Sequence, residues 1–153
     1  MHELDKLDKN ILNILQDNAA TPLKELAAAV HSSPTTCQRR IAKMLENGII
    51  RRQAALVSPQ AVGRGISVFV QVELERQHHN IQEAFERAIL KEPDVSGCYE
   101  ISGDYDFLIL VHCTDMAAYH AFTRRVLTGG NHVRNFNSQF VMNFTKVENK
   151  ITL

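Results

Sequence analysis

A short helix predicted after Ser33 carries hydrogen-bond donors on one face. Thr35, Arg39 and Lys43 are spaced four residues apart, so they share one side of a helix. Three apolar residues of the same segment lie on the opposite side: Cys37, Ile41 and Met44. Arginine can donate two hydrogen bonds to guanine, glutamine can pair with adenine, and threonine methyl groups can contact thymine. A helix of this kind suits the major groove of DNA.

The elements around this helix have clear sequence signals. Ser33 can cap the helix, Pro34 fits its first position, and Gly48 can end it in a left-handed conformation. Thr21-Pro22 repeats the cap-plus-proline pattern and predicts the start of the preceding helix, while Asp5 can cap a first helix. Three amphipathic helices with a tight turn between the second and third predict a helix-turn-helix domain.

The start of the third helix and the segment after it supply the candidate DNA contacts. Residues in the first turn and a half of such a helix contact base edges, whereas Lys43, Arg51 and Arg52 are better placed for phosphate. Arg40 lies near the edge of the apolar stripe, so it contacts either phosphate or an acid within the domain. The complete predicted set is Ser33, Thr35, Thr36, Gln38, Arg39, Arg40, Lys43, Arg51 and Arg52.

Charge is unevenly distributed along the chain. The formal net charge of the 153 residues is zero, but residues 33–52 hold five basic side chains against one acid. Residues 61–153 hold nine basic and eleven acidic side chains. This division is expected where only one region meets phosphate.

Cysteine and histidine patterns argue against disulfides and metal. Cys37, Cys98 and Cys113 are widely spaced and odd in number, which favours free thiols in a reducing cytosol. The adjacent His78-His79 pair lacks further ligands, so no metal is expected. With no long apolar run and no signal-like N-terminus, we expect a soluble, cytoplasmic protein without a membrane partner.

The second half of the chain changes from helical to strand periodicity. Apolar residues alternate with others from Ile66 to Leu74, which predicts a strand with one buried face. Asn80 and Asp115 can each cap a helix, and apolar strand segments follow both helices. The resulting order, βαββαβ, predicts a ferredoxin-like domain with an antiparallel sheet. The class is therefore α+β, with a three-helix helix-turn-helix domain at 1–60, which includes a connecting strand predicted from Ile49 to Val57, and the ferredoxin-like domain at 61–153.

One face of the predicted sheet lacks a helical cover. Phe69 points to that face, and Leu108 and Leu110 supply an apolar set on a neighbouring strand. An uncovered apolar face of this kind predicts a face-to-face dimer.

Several motifs in order along the chain are similar to those of one family. These are LDKLDKNILNIL, LKELAAAV and SPTTCQRRI with ENGII in the first half, and SGDYDFLILV and DMAAYHAF in the second. Together they resemble the leucine-responsive regulatory protein/AsnC family, closest to the leucine-responsive branch. The resemblance implies a transcription regulator without enzymatic activity or cofactor, which binds double-stranded DNA. It also implies dimers that assemble further, as a tetramer of dimers, and a free amino-acid effector such as leucine or methionine.

The resemblance places the effector near the turn between the second and third strands. Carboxylates there could accept hydrogen bonds from a ligand ammonium group, although glycine and aspartate are also what any tight turn requires. Ser138 is a further candidate for a polar contact from a neighbouring subunit. The predicted effector set is Gly103, Asp104, Tyr105, Asp106 and Ser138.

Two other functions fit parts of the chain. One is a metabolite sensor that does not bind DNA. The other is a small dimeric barrel oxygenase-type enzyme, because ferredoxin-like sheets that pair face to face also form such barrels. The enzyme hypothesis rests on fold alone and leaves the helical N-terminal domain unexplained.

Overall fold

The computed structural model describes residues 3–75 and 79–153. The chain forms two compact units, Val57–Thr145 and a unit that combines Met1–Leu56 with Lys146–Leu153. The predicted division lies at residues 60 and 61, with the last eight residues in the second domain. In the structure those eight residues lie with the first unit.

Three helices build the first unit: α1 (Lys6–Asp17), α2 (Leu23–Ala29) and α3 (Pro34–Glu46). Asp5 caps α1 as predicted, and its carboxylate accepts a hydrogen bond from the Asp8 backbone N–H at 2.9 Å. Fully or almost fully buried side chains from all three helices form one core: Ile11, Leu26, Cys37 and Met44. The helical stripes predicted from the sequence are therefore the stripes that pack together.

The predicted cap of α2 is wrong. The helix begins after Pro22, which occupies the cap position without a side-chain hydrogen bond. The Thr21 hydroxyl instead donates to the Asn18 backbone carbonyl at 2.7 Å. Thr21 thus stabilises the turn that follows α1 rather than the start of α2.

The described residues of the second unit form one four-stranded sheet and two main helices. Its elements are β1 (Ile66–Leu74), α4 (His79–Ile89), β2 (Val95–Glu100), β3 (Phe107–Cys113), α5 (Met116–Phe122) and β4 (Val133–Phe140). All pairings are antiparallel, in the order β2-β3-β1-β4. This confirms the predicted α+β class and ferredoxin-like order.

Both helices cover the same face of the sheet. Alternate residues of β1 and β3, Val70 and Ile109 among them, pack with Phe85 of α4 and Phe122 of α5, and all four side chains are fully buried. Asp115 caps α5 as predicted, by accepting a hydrogen bond from the Ala118 N–H at 2.8 Å.

The start of α4 and the end of α5 are not regular helix ends of the predicted kind. Asn80, predicted as a cap, lies inside α4, which begins at His79. A single π-helical turn, Thr123–Leu127, continues α5 and buries Val126 and Leu127.

The sheet face away from the helices is called the open face here. It is defined by five side chains: Phe69, Tyr99, Leu108, Leu110 and His112. Phe69 pairs with Leu110 and Gln71 with Leu108 across β1 and β3, so these positions share one face. The predicted placement of Phe69, Leu108 and Leu110 on the uncovered face is confirmed.

Candidate nucleic-acid interface and effector region

The start of α3 is fixed by a side-chain cap. The Ser33 hydroxyl accepts a hydrogen bond from the Thr36 backbone N–H at 3.1 Å and donates to the Thr36 hydroxyl at 2.8 Å. Pro34 occupies the first helical position. Ser33 and Thr36 therefore hold the helix end in place, and this pair orients the first turn of α3.

One face of α3 is exposed and chemically suited to nucleic acid. Thr35, Gln38, Arg39 and Lys43 are exposed, whereas Cys37 and Met44 on the other side are fully buried. A hollow of about 290 Å³ is lined by Arg39, Arg40 and Lys43. The positive charges can bind phosphate oxygens, and the exposed hydrogen-bond donors beside them can contact base edges in a groove.

Arg40 differs from its neighbours because its guanidinium is held inside the unit. Its Nη1 lies 2.8 Å from Asp5 Oδ2 and 3.1 Å from Asp8 Oδ2. Asp8 is fully buried. The Asp8 backbone N–H, and then Arg40, lower the pKa of Asp5, while the hydrogen bond from Arg40 to Asp5 raises the pKa of the guanidinium. Of the two roles left open for Arg40, the observed contact is the internal one.

Arg51 and Arg52 follow α3 in an exposed segment. The predicted connecting strand at Ile49 to Val57 does not form: residues 51–58 are neither helix nor strand, all of them are exposed, and no strand among the described residues pairs with them. Both guanidinium groups are therefore accessible to phosphate oxygens. Unlike the residues of α3, they are not held in position by a helix.

The predicted effector turn joins β2 to β3. Gly103 has φ +117°, a value that favours glycine, and Asp104 is exposed. The Asp106 carboxylate accepts a hydrogen bond from the Leu74 backbone N–H at 2.7 Å. Asp106 thus attaches the turn to the end of β1, and Asp104 is the acid of this turn that faces solvent.

Ser138 lies on the helix-covered side of the sheet. It pairs with Val70 across β1 and β4, and its hydroxyl is 2.5 Å from the Tyr119 hydroxyl of α5. Burial raises the pKa of Tyr119. The structure therefore gives Ser138 a contact within the same subunit.

Sequence reasoning missed a polar pair at the edge of the open face. His112 Nδ1 lies 2.7 Å from the Ser67 hydroxyl, and Ser67 is buried. Burial, and then the Arg64 charge, lower the pKa of His112. The signal available in the sequence was a histidine at the end of the otherwise apolar run FLILV.

A shallow hollow of about 300 Å³ adjoins this histidine. Arg64 and Asp94 form an ion pair of 2.8 Å at its wall. The residues that line the hollow are Val57, Pro59, Val62, Arg64, Pro93, Asp94, Ser96 and His112.

Neither a metal-binding cluster nor a membrane-spanning helix occurs among the described residues. Within 3–75 and 79–153 no cluster of three or more histidine, cysteine or acidic side chains could hold a metal. Of the His78-His79 pair, His78 lies outside the described residues. No helix among these residues is both long enough and apolar enough to span a bilayer.

Comparison with known proteins agrees with this two-unit arrangement. A family model for the AsnC-type helix-turn-helix domain matches residues 4–45, and one for the Lrp/AsnC ligand binding domain matches residues 67–151. An uncharacterized HTH-type transcriptional regulator of Haemophilus influenzae is 59% identical over all of this chain and 91% of its own length. The leucine-responsive regulatory protein of Escherichia coli is 31% identical over 99% of this chain and 92% of its own.

Solved structures give the same result at the level of the whole chain. A transcriptional regulator from Neisseria meningitidis, in complex with L-Met, is 34% identical with a TM-score of 0.90, over 97% of this chain and 96% of its own. An AsnC family regulator from Agrobacterium tumefaciens is 36% identical with a TM-score of 0.89, over the same shares of the two chains. The protein is thus a helix-turn-helix transcription regulator with a ligand-binding domain, and it belongs to the Lrp/AsnC family.

Proposed function

We propose that the protein binds specific double-stranded DNA sites through the exposed face of α3 and that a free amino acid modulates this binding. The observation that carries the proposal is the combination of Thr35, Gln38, Arg39 and Lys43 on one exposed face of a helix whose start is fixed by Ser33. The first turns of this helix provide base contacts, and Lys43 with Arg51 and Arg52 provides phosphate contacts.

Arg40 has a supporting role in this proposal. Its ion pairs with Asp5 and Asp8 join α3 to the start of α1. Arg40 therefore stabilises the packing of α3 on the start of α1, while Arg39, one residue earlier, is directed to the nucleic acid.

The proposed DNA binding is tested by measuring the affinity for duplex fragments over a series of salt concentrations. Affinity should fall steeply as salt rises, because each phosphate contact releases condensed counterions. Exchanging both Arg39 and Lys43 for glutamate should abolish binding while the circular dichroism spectrum stays unchanged. A matched control exchanges the exposed Arg87 and Lys91 of the α4 region for glutamate. Full occupancy by the Arg39/Lys43 variant would refute the proposal.

The effector is an amino acid bound near the turn between β2 and β3. The L-Met complex of the Neisseria relative supports methionine, and the leucine-responsive relatives support leucine. The exposed Asp104 carboxylate can accept hydrogen bonds from an α-ammonium group, and backbone N–H groups beside Gly103 can donate to the α-carboxylate.

Calorimetry against the twenty amino acids tests the effector. Methionine or leucine should bind, and Asp104→Asn should weaken binding of that amino acid at least tenfold. Glu86→Gln, which removes an exposed acid on α4, is the matched control. If no amino acid bound, or if both variants bound equally well, the effector assignment would be wrong.

Assembly completes the proposal. The open face pairs with the same face of a second copy to give a dimer, and dimers associate further, as a tetramer of dimers. A symmetric dimer presents two copies of α3 and therefore suits two half-sites on one side of the duplex. The ligand acts by binding one packing of the dimers more tightly than another. The role is regulatory rather than catalytic.

A further inference from the structure

Lys150 and Ile151, close to the C-terminal end of the chain, contact the end of α1. The Gln16 side-chain amide donates to the Ile151 backbone carbonyl at 3.0 Å, and the Ile151 backbone N–H donates to Gln16 Oε1 at 2.7 Å. Lys150 Nζ lies 2.6 Å and 2.7 Å from the two carboxylate oxygens of Asp17. Gln16 and Asp17 end α1. They bind the Ile151 backbone and the Lys150 side chain of the C-terminal segment, residues 141–153.

The charge at the end of α1 explains why a lysine is useful there. The C-terminal end of a helix carries partial negative charge and favours nearby cations. The last turn of α1 contains no basic residue, and it ends instead in the acid Asp17. Lys150 supplies the missing positive charge from a part of the chain more than 130 residues away.

The same segment begins at the sheet. The Val141 backbone N–H donates to the Ser67 carbonyl at 2.9 Å, immediately beyond the paired residues of β4. The chain then passes from the second unit to the first between Thr145 and Lys146. The segment is thus attached at both ends, once to the sheet and once to α1.

The other connection between the units does not fix an orientation by itself. It runs through residues 51–58, which are exposed and contain no helix or strand. A single flexible connection lets one unit rotate relative to the other. A second attachment removes part of this rotational freedom. Conformational entropy that the free protein has already lost does not have to be lost when the protein binds DNA, so the second attachment favours binding.

We propose that Gln16, Asp17 and Lys150 are positioning residues for DNA binding. By holding the C-terminal segment against α1, they restrict the helix-turn-helix unit so that the two copies of α3 in a dimer meet two half-sites together. The attachment consists of solvent-exposed polar contacts and leaves Ile151 69% exposed. Such contacts are individually weak, so the attachment opens and closes readily. This inference rests on the proposed DNA-binding function.

The test uses the full-length dimer and two duplexes. One carries two half-sites, selected from a random-sequence library with the wild-type protein, and the other carries only one. The double variant Gln16→Ala/Lys150→Ala should bind the two-site duplex about three- to tenfold more weakly, because the second contact loses effective concentration. Its affinity for the one-site duplex should stay within about twofold of the wild-type value, since α3 itself is unchanged.

Two further variants separate positioning from a general loss of charge. Lys146→Ala is the matched control, because Lys146 lies in the same segment and pairs with Glu148 within it. It should bind both duplexes like the wild type. The exchanged pair Asp17→Lys/Lys150→Asp should recover two-site affinity relative to either single change.

Hydrogen exchange provides a readout that does not require DNA. In the Gln16→Ala/Lys150→Ala variant, the Ile151 amide, which donates to Gln16 Oε1, and amides in the last turn of α1 should exchange faster than in the Lys146→Ala control. Unchanged exchange would refute the attachment. Faster exchange with equal losses on both duplexes, or with no loss on either, would refute the positioning role. Failure of the wild-type protein to bind any duplex would instead refute the proposed function.

Discussion

At the scale of single residues, Arg39 and Arg40 are neighbours with different surroundings. Arg39 is exposed on α3, whereas Arg40 is ion-paired with Asp5 and Asp8. Arg39→Ala should weaken DNA binding by about 1–3 kcal/mol, the range for a base or phosphate contact. It should leave the melting temperature within about 1 °C, because exposed substitutions rarely change stability. DNA titration and thermal melting of the same sample measure both quantities.

Arg40→Ala should show the opposite pattern. Removal of the guanidinium beside the fully buried Asp8 should lower the melting temperature by roughly 5 °C. DNA affinity per folded molecule should change little at low temperature. The separation of roles would be wrong if Arg40→Ala left the melting temperature unchanged and abolished binding instead.

His112 gives the sheet unit a pH-dependent contribution to stability. Burial and Arg64 lower the pKa of His112 in the folded state, so the unfolded chain binds a proton more readily. Stability from this group is therefore complete above its ordinary pKa of about 6.5 and is lost as the pH falls below that value.

The comparison with His112→Gln isolates this effect from other titrations. Between pH 7.5 and pH 5.5 the wild-type protein should lose more stability than the variant, as measured by urea unfolding at both pH values. Glutamine keeps a hydrogen-bonding group near Ser67 but cannot be protonated. Equal losses in the two proteins would show that His112 does not titrate in this range.

At the scale of elements, two glycines are required for different reasons. Gly48 ends α3 with φ +71° and has open space around it, so alanine there meets only backbone strain. A Cβ on Gly129 would lie 2.3 Å from the Arg125 carbonyl oxygen, at the end of the π-helical turn. We expect Gly48→Ala to lower the free energy of unfolding by about 1 kcal/mol and Gly129→Ala by about 2 kcal/mol or more.

A second substitution at Gly48 distinguishes strain from lost packing. Asparagine tolerates the left-handed conformation better than alanine does, so Gly48→Asn should recover part of the loss. Chemical denaturation followed separately in each unit measures the three variants. Similar losses for Gly48→Ala and Gly48→Asn would contradict the explanation from backbone strain.

Local signals account for which elements the sequence predicted. The alternation in β1 and the caps at Asp5, Ser33 and Asp115 depend on residues a few positions apart, and all are observed. Thr21 failed as a cap because its hydroxyl has a competing acceptor at Asn18. The π-helical turn could not be predicted, since it depends on how Val126 and Leu127 pack against the sheet.

At the scale of the whole molecule, features that depend on neighbouring residues could be predicted from the sequence, whereas contacts between distant residues could not. The outward face of α3 follows from periodicity alone, so most of the candidate DNA site could be predicted. The contacts of Lys150 with Asp17 and of Arg40 with Asp8 join residues 133 and 32 positions apart. No periodic pattern or motif records such pairs, and only the folded chain brings them together.

In the proposed dimer, assembly depends on the open face. Phe69 and Leu110 pair at its centre and are partly exposed in the single chain. A second copy would bury them, and an aspartate at position 110 would then be charged inside the interface without water to solvate it. Leu110→Asp should therefore convert the protein to monomers, as measured by sedimentation.

Leu90→Asp is the matched control for that experiment. It makes the same chemical change at a leucine that is 85% exposed and follows α4 on the helix-covered side. This variant should keep the wild-type mass. Because a monomer presents only one α3, Leu110→Asp should also lose affinity for two half-sites while it keeps affinity for one. A Leu110→Asp protein with the native circular dichroism spectrum and an unchanged mass would exclude the open face as the dimer interface.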